Sequence, residues 1–304
     1  MNAYCAAVDW GTTSFRLWLL DAAGEILAER RSGEGMLAAG PDGFAAILDA
    51  HLSAVGAAAD LPVIACGMVG ARQGWVEAPY VETPATAASI AASACRVPGL
   101  ERPVYILPGV AQRNASTPDV MRGEETQILG LPERAGETGG LDLVCMPGTH
   151  SKWVALEAGR IAGFATFITG DLFAAVARHT ILRHSVADPA APFDWAGFAD
   201  GFRAGLESPA EATNRMFAIR AGGLLDVGAG GDGGSQLSGL VLGLEFAGAR
   251  SRFGATPAVT LVASGQLLDI YSVACELAGI EAVAADADAA VRRGLFAAAR
   301  EILA

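Results

Sequence analysis

Charge is scarce in this sequence: Asp, Glu, Lys and Arg make up 18% of its 304 residues, and the acidic groups outnumber the basic ones by 33 to 21. The net charge of −12 argues against DNA, RNA or an anionic membrane as the main partner. Anionic small molecules stay open, because a local pocket matters more than the total. Cysteine is sparse and scattered: Cys5, Cys66, Cys95, Cys145 and Cys275 are odd in number and form no CxxC pair. That speaks against a disulfide framework or zinc site, and the five read as small core residues of a reduced, cytoplasmic protein. No apolar run reaches membrane-spanning length without a charge or glycine, and the start MNAYCAAVDWG lacks the basic end and apolar core of a signal peptide. What is plentiful is small and apolar. Hydrophobic residues are 52% of the chain, enough over 304 residues to bury a large core and to form two domains.

The stretch Val8–Asp21, VDWGTTSFRLWLLD, sets an aspartate, two threonines and a serine around one glycine. An apolar strand ends at Asp9, a polar turn of Gly11, Thr12, Thr13 and Ser14 follows, and FRLWLL and EILAERR complete a three-stranded meander. From Leu143 the pattern returns as LVCM, the turn PGTHSK, WVALE, a tight EAGR turn and IAGFATFI. G-T-x-S occurs in both, at Gly11–Ser14 and Gly148–Ser151, 137 residues apart. Two such units predict two related α/β domains. Glycine lets the backbone approach closely, and successive N–H groups with Thr and Ser hydroxyls form an anion nest, so the paired turns predict a grip on phosphate. The competing reading is two hairpins whose Thr and Ser satisfy their own turns. Asp9 beside such a nest would repel phosphate, and suits instead a Mg²⁺ that bridges to phosphate oxygens.

Helical spacing of Phe44, Ile47, Leu48 and Leu52 is followed by a buried strand in PVIACGMVG. The loop after it, GMVGARQGW, carries Arg72, Gln73 and Trp75 at the carboxyl end of a strand, where open α/β sheets bind ligands. Arg offers a carboxylate fork, Gln an amide and Trp an apolar wall; the bland alternative is a surface turn with a packing Trp. In MRGEETQILGL, Gly123 precedes a helix start whose Glu124 and Glu125 either favour the macrodipole or supply a general base. His179 and His184 lie five apart, off a common helical face, and are assigned no metal. Gly228 to Gly234 read as a flexible loop leading into a helix, and PAVTLVASGQLLD as a strand, a Ser264-Gly265 turn and a helix, a usual seat for a nucleotide. The end of the chain is an amphipathic helix with Ala290, Val291, Leu295, Phe296 and Ile302 as its apolar side.

Together, DWGTTSFR, PGTHSKWV and VASGQLLD resemble the two phosphate loops and the adenosine element of the actin-like ATPase superfamily. More closely, VDWGTTSFRLW, GMVGARQGW, MRGEETQILG and MPGTHSKWV resemble, in order and over essentially the whole chain, the motifs of the 2-dehydro-3-deoxygalactonokinases. The resemblance implies an α/β fold of two duplicated actin-like (ribonuclease H-like) domains, 1–118 and 119–304, with a nucleotide cleft between them and helix 286–303 packing back on the first. It implies ATP-dependent phosphorylation of 2-dehydro-3-deoxy-D-galactonate at its 6-hydroxyl, in bacterial galactonate breakdown, with ATP and Mg²⁺ as cofactors.

Carried over residue by residue, it implies Mg²⁺ at Asp9 and the β- and γ-phosphates at Gly11, Thr12, Thr13, Gly148, Thr149 and Ser151, with Lys152 adding positive charge. Ser264 and Gly265 approach the adenosine; Arg72, Gln73, Trp75 and Arg122 serve the sugar acid, either arginine pairing its carboxylate. Related carbohydrate kinases place an acidic residue after a glycine at a helix start before the second phosphate loop, which makes Glu124 the expected base and Glu125 its substitute. Three other readings compete: a kinase of another 2-keto-3-deoxy sugar acid, a non-catalytic actin-like ATP-binding protein, and a sugar-sensing regulator. Arg72 favours an acid over a neutral sugar, the RGEE helix start counts against the second, and the lack of a basic helix-turn-helix counts against the third. The expected partners are the sugar acid and ATP, without nucleic acid or membrane, and a homodimer is left open.

Overall fold

In the computed structural model, residues 2–40, 43–132, 142–186, 192–227 and 232–304 are described. Contacts divide the chain into one unit of Met1–Gly140, Leu156–Gly163 and Asp286–Ala304, and another of Leu141–Ala155 and Phe164–Ala285.

The strands of the first unit are β1 (Cys5–Trp10), β2 (Phe15–Leu20), β3 (Ile26–Ser32), β4 (Val63–Cys66), β5 (Tyr80–Glu82), β6 (Cys95–Arg96), β7 (Val104–Ile106), β8 (Gly109–Gln112) and β9 (Asp119–Met121). Its helices are α1 (Met36–Ala39), α2 (Phe44–Ala54), α3 (Ala87–Ala92) and α4 (Glu124–Leu129). β1 is apolar on both faces, as a strand covered on both sides must be. Ala6, Val8 and Trp10 pack with Phe44, Leu48 and Leu52 of α2, while Cys5 and Ala7 face the other way. The main sheet runs β3-β2-β1-β4-β7-β6; β2 is antiparallel to β1, and β4 and β7 run parallel to it. A small sheet, β5-β8-β9, stands beside it in sequence.

The second meander is β10 (Asp142–Met146), β11 (Ser151–Glu157) and β12 (Arg160–Phe167). Ala158 and Gly159 join the last two with φ of 49° and 73°, the left-handed pair that a two-residue hairpin with the strands' own twist requires. Helices α5 (Thr169–His179), α6 (Trp195–Glu207), α7 (Ala212–Leu225) and α8 (Gly233–Phe253) precede β13 (Ala258–Val262), α9 (Gly265–Ala278) and β14 (Glu281–Ala285). This sheet runs β12-β11-β10-β13-β14, with β13 parallel to β10 and β14 parallel to β13. Both sheets therefore have a meander followed by two strands parallel to its first. The duplication expected from two G-T-x-S turns is present in the strand order.

Two expectations meet a different arrangement. Gly233 and Gly234, placed by sequence in a flexible loop, are the first turn of α8, where the Asp232 carboxylate accepts from the N–H of Gly234 and Ser235; residues 228–231 lie outside the described residues. The division at 118/119 also differs from the contact division, which keeps the chain with the first unit as far as Gly140. The reason is packing. β9 pairs with β8, and α4 lies against α10 (Ala287–Ile302) so closely that a Cβ on Gly294 would stand 1.8 Å from the Thr126 carbonyl oxygen. On the same helix Val291, Leu295, Ala298 and Ala299 cover Cys5, Ala7, Trp18 and Leu20. The cysteines are free, and all but Cys95 are buried. No helix among the described residues is long and apolar enough to cross a membrane.

Candidate active site

In the first unit the turn after β1 is held from behind. Met36 N–H donates to the Gly11 carbonyl at 2.9 Å and Leu37 N–H to that of Thr12 at 3.1 Å. Gly35 packs so tightly that a Cβ there would lie 2.5 Å from Thr12 and Thr13 backbone atoms. Two carbonyls are thus turned towards α1, while Thr12, Thr13 and Ser14 are exposed. That is the polarity an anion loop needs.

Asp9, next to last in β1, meets Arg16 across the strand pair, with Arg16 Nη2 2.6 Å from Asp9 Oδ2. The other Arg16 Nη donates to Asp288, which also holds Arg31 at 2.6 Å. Burial pushes the Asp9 carboxyl above its ordinary value, and the Arg16 charge pulls against it. Gly67 closes on the same point. With φ of 92°, it would bring a Cβ within 2.8 Å of the Trp10 carbonyl and 3.3 Å of Asp9 Oδ1. Gly123, φ 106°, stacks its backbone on Gly67 and opens α4. Only glycine takes these dihedrals without strain, so the pair sets Glu124 and Glu125 beside the Asp9 end of the sheet.

The two glutamates differ. Glu125 is fully buried, and both carboxylate oxygens accept from Gly123 N–H, at 2.9 and 2.7 Å, while Thr126 Oγ1 donates at 3.0 Å. Burial raises its pKa to about 8, with the neighbouring Glu124 charge adding to the rise. Glu124 is half-buried, and its Oε2 accepts from the Arg122 N–H at 3.0 Å. Arg122 Nη2 donates to the Ala78 carbonyl at 2.8 Å and its guanidinium lies 4.4 Å over the Tyr80 ring. Its Nε and Nη1 are buried without a hydrogen-bond partner. A Cβ on Gly70 would meet that Nη1 at 3.1 Å, so the glycine makes its room.

The rest of the GMVGARQGW loop is placed otherwise. Arg72 has an 81% exposed side chain and reaches Glu77 at 3.5 Å; Gln73 is exposed. Trp75 stacks on Phe44 at 5.8 Å and edges Trp10 at 6.2 Å, packing against the core. A cavity of about 250 Å³ lined by Leu48, Asp49, Trp75, Arg102 and Val104 includes Trp75 but neither Arg72, Gln73, Arg122 nor the two glutamates.

In the second unit, β10 and β13 are parallel neighbours, so the Gly148–Ser151 turn and Ser264-Gly265 follow the carboxyl ends of adjacent strands. Thr149 is exposed, and its carbonyl accepts from Gly170 and Asp171 N–H at the start of α5. Ser264 and Gly265 are exposed at the start of α9, with no side-chain cap, and Gly265 has φ of 58°. Ser151, by contrast, is fully buried, and its hydroxyl lies 2.6 Å from the Tyr271 OH. Lys152 is 5% exposed, and its Nζ donates to the His150 carbonyl at 3.4 Å. It is the one lysine in the chain, a signal that counting alone supplies.

The profile of the 2-keto-3-deoxy-galactonokinase family matches residues 9–298. The chain belongs to that family. It is 55% identical over 98% of its length to a protein named probable 2-dehydro-3-deoxygalactonokinase of Rhizobium meliloti (strain 1021), covering 97% of that protein. It is 33% identical to the 2-dehydro-3-deoxygalactonokinase of Escherichia coli (strain K12), covering 99% of each. A crystal structure from Sinorhizobium meliloti under the same enzyme name superposes with a TM-score of 0.93 at 55% identity, covering 98% of this chain and 99% of that one. The fold is shared more widely. The ADPNP-bound activator of 2-hydroxyisocaproyl-CoA dehydratase from Clostridium difficile superposes with a TM-score of 0.51 at 12% identity, covering 99% and 96% of the chains.

For a member of this kinase family, whose reaction uses ATP, the fit of Mg²⁺ can be tested on the donors present. Among the described residues no three His, Cys, Asp or Glu side chains gather as a metal cage. Mg²⁺ is ordinarily held by one or two carboxylates with phosphates and water, so a single Asp9 with one oxygen taken by Arg16 still fits. Two residues that sequence reasoning passed over stand out. Arg16 lies inside the quoted first loop, and Glu245 is the one charge in the apolar run LVLGLEFAG, which is the mark of a buried, paired carboxylate.

Proposed function

We propose that the chain transfers the γ-phosphoryl group of ATP to the 6-hydroxyl of 2-dehydro-3-deoxy-D-galactonate, a step of galactonate breakdown in the cytoplasm. The observation that carries the substrate reading is Arg122: a guanidinium beside the Glu124 helix start with two buried, unpartnered donors suits a carboxylate that arrives with the ligand. Arg72, the alternative, is exposed and already faces Glu77.

In this reading Glu124 accepts the proton as the 6-oxygen attacks the γ-phosphorus in line. The bond from that phosphorus to the bridging oxygen breaks, and the electron pair leaves on ADP. Glu125, locked onto Gly123 and Thr126, shapes the turn that aims Glu124. Gly11, Thr12 and Thr13 serve the phosphates in the first unit, and Gly148 and Thr149 do so in the second. Lys152 adds charge beneath that loop, and Ser264 and Gly265 approach the adenosine. Bound Mg²⁺, held through Asp9, would neutralise charge on the phosphate oxygens. Catalysis is then mainly placement, because phosphoryl transfer asks little covalent chemistry of the protein.

The test is ADP release with Mg²⁺-ATP and four acceptors: 2-dehydro-3-deoxygalactonate, its gluconate epimer, galactonate and galactose. Selective turnover of the first supports the proposal. Turnover of the epimer alone, or of neither keto acid, sinks the substrate assignment.

A further inference from the structure

Beneath the second phosphate loop lies a carboxylate that the proposed reaction does not use. Glu245 is 2% exposed in the middle of α8, where an unpaired charge would be costly. Three neutral donors from three other elements converge on it. Trp153 Nε1 of β11 donates to Oε1 at 2.8 Å; Tyr271 OH of α9 donates to Oε2 at 2.9 Å, and Thr169 Oγ1 at the head of α5 donates to the same oxygen. Tyr271 OH is in turn 2.6 Å from Ser151 Oγ.

Tyr271 OH donates to Glu245 Oε2, which leaves its own oxygen to accept from the Ser151 hydroxyl 2.6 Å away. Ser151 Oγ also lies 3.5 Å from the Gly148 carbonyl of its own turn, and the residue is fully buried. Ser151, Thr169 and Tyr271 also sit in elements that the proposed function brings to the nucleotide. Ser151 closes the Gly148–Ser151 turn, Thr169 precedes the Gly170 and Asp171 N–H groups that hold the Thr149 carbonyl, and Tyr271 lies on the helix that starts at Ser264-Gly265.

We infer that Glu245 is a positioning residue for the nucleotide: through Tyr271 and Ser151 it fixes the second phosphate loop, and through Thr169 it fixes the helix start that braces that loop. The inference rests on the reading that these elements hold ATP. Networks of this kind are cooperative, so loss of one donor loosens the rest.

The experiment compares Tyr271→Phe and Glu245→Gln with the wild type by titration calorimetry of Mg²⁺–ADP and by separate KM values for ATP and the sugar acid. Thermal melts verify that each variant is folded. Tyr271→Phe removes the link without emptying the core, which keeps the test informative should Glu245→Gln fail to fold. The expected result is an about tenfold weaker ADP affinity and a similar rise in the ATP KM, with the sugar-acid KM unchanged. Ser151→Ala added to Tyr271→Phe should cost nothing further, since both cut one link, and Thr169→Ser should keep the affinity that Thr169→Val loses. A folded Tyr271→Phe protein with wild-type ADP affinity overturns the inference and leaves the proposed function standing. So does an equal rise in both KM values, which would mean general loosening. A wild-type chain that binds no Mg²⁺–ADP overturns both.

Discussion

Glu124 and Glu125 are neighbours of identical chemistry, and only burial separates them. The half-buried Glu124 keeps the exposure that the proposed base needs; the fully buried Glu125 is spent on the Gly123 N–H and Thr126. Glu124→Gln should lower kcat by about 10²- to 10⁴-fold with little change in either KM, and Glu125→Gln should keep much more of the rate. Steady-state kinetics on the folded variants decides between them, and the reverse ranking would exchange the two roles. Glu125 carries a second consequence, for stability. Folded, it keeps its proton to about pH 8, whereas unfolded it titrates as an ordinary glutamate. The folded state then holds the extra proton, so this contribution to stability is complete below the ordinary glutamate range and is lost as pH rises through about 8. Melting temperatures of Glu125→Gln should accordingly fall less than those of the wild type between about pH 5 and about pH 8. At the acid-binding end, Arg122→Gln should raise the sugar-acid KM by about 100-fold, a charge-assisted pair lost from a desolvated site, against less than about threefold for Arg72→Gln. Equal effects would return Arg72 to the site.

At the scale of elements, the glycines do what periodicity cannot announce. α4 carries Glu124 at its head and rests on α10 through a backbone contact that tolerates no side chain: a Cβ on Gly294 would collide with the Thr126 carbonyl at 1.8 Å, and one on Gly130 with that of Ala290 at the same distance. Gly294→Ala must therefore move one helix off the other. It should lower the melting temperature by several degrees, about 1–3 kcal/mol for an overpacked contact, and lower kcat through displacement of Glu124. A variant that melts and turns over like the wild type would show that the contact yields freely. The same scale explains where motif reading and structure part. GMVGARQGW was legible as a loop after a strand, and it is one; which of its side chains face outward was not. Trp75 turns in to Phe44 and Trp10 because α2 supplies an aromatic face there, which the loop's own residues do not encode. Ser151 likewise reads as a phosphate ligand from G-T-x-S, yet Tyr271, far along the chain, claims its hydroxyl.

At the scale of the molecule, the described residues gather no three metal-ligand side chains, and that leads to one expectation about Mg²⁺. With Asp9 the one carboxylate proposed for it, the ion should arrive with the nucleotide: calorimetric titration of Mg²⁺ alone should show no tight site, and chelation should abolish turnover that added Mg²⁺ restores. A tight site in the nucleotide-free protein would require ligands beyond Asp9. The sequence by itself determined the features that are local in the chain. The two meanders, their Gly-Thr turns, the strand–turn–helix at Ser264 and the glycine before Glu124 all depend on short apolar runs and turn chemistry within a few residues, and the strand order bears them out. Only the tertiary structure decided which unit claims the segment after residue 118, which glutamate is accessible, that Arg122 keeps two buried donors without a partner, and that Glu245 underlies the second loop. Each of those is a matter of burial or of hydrogen-bond partnership, and both are set by residues that fold in from distant parts of the chain, where no local pattern records them.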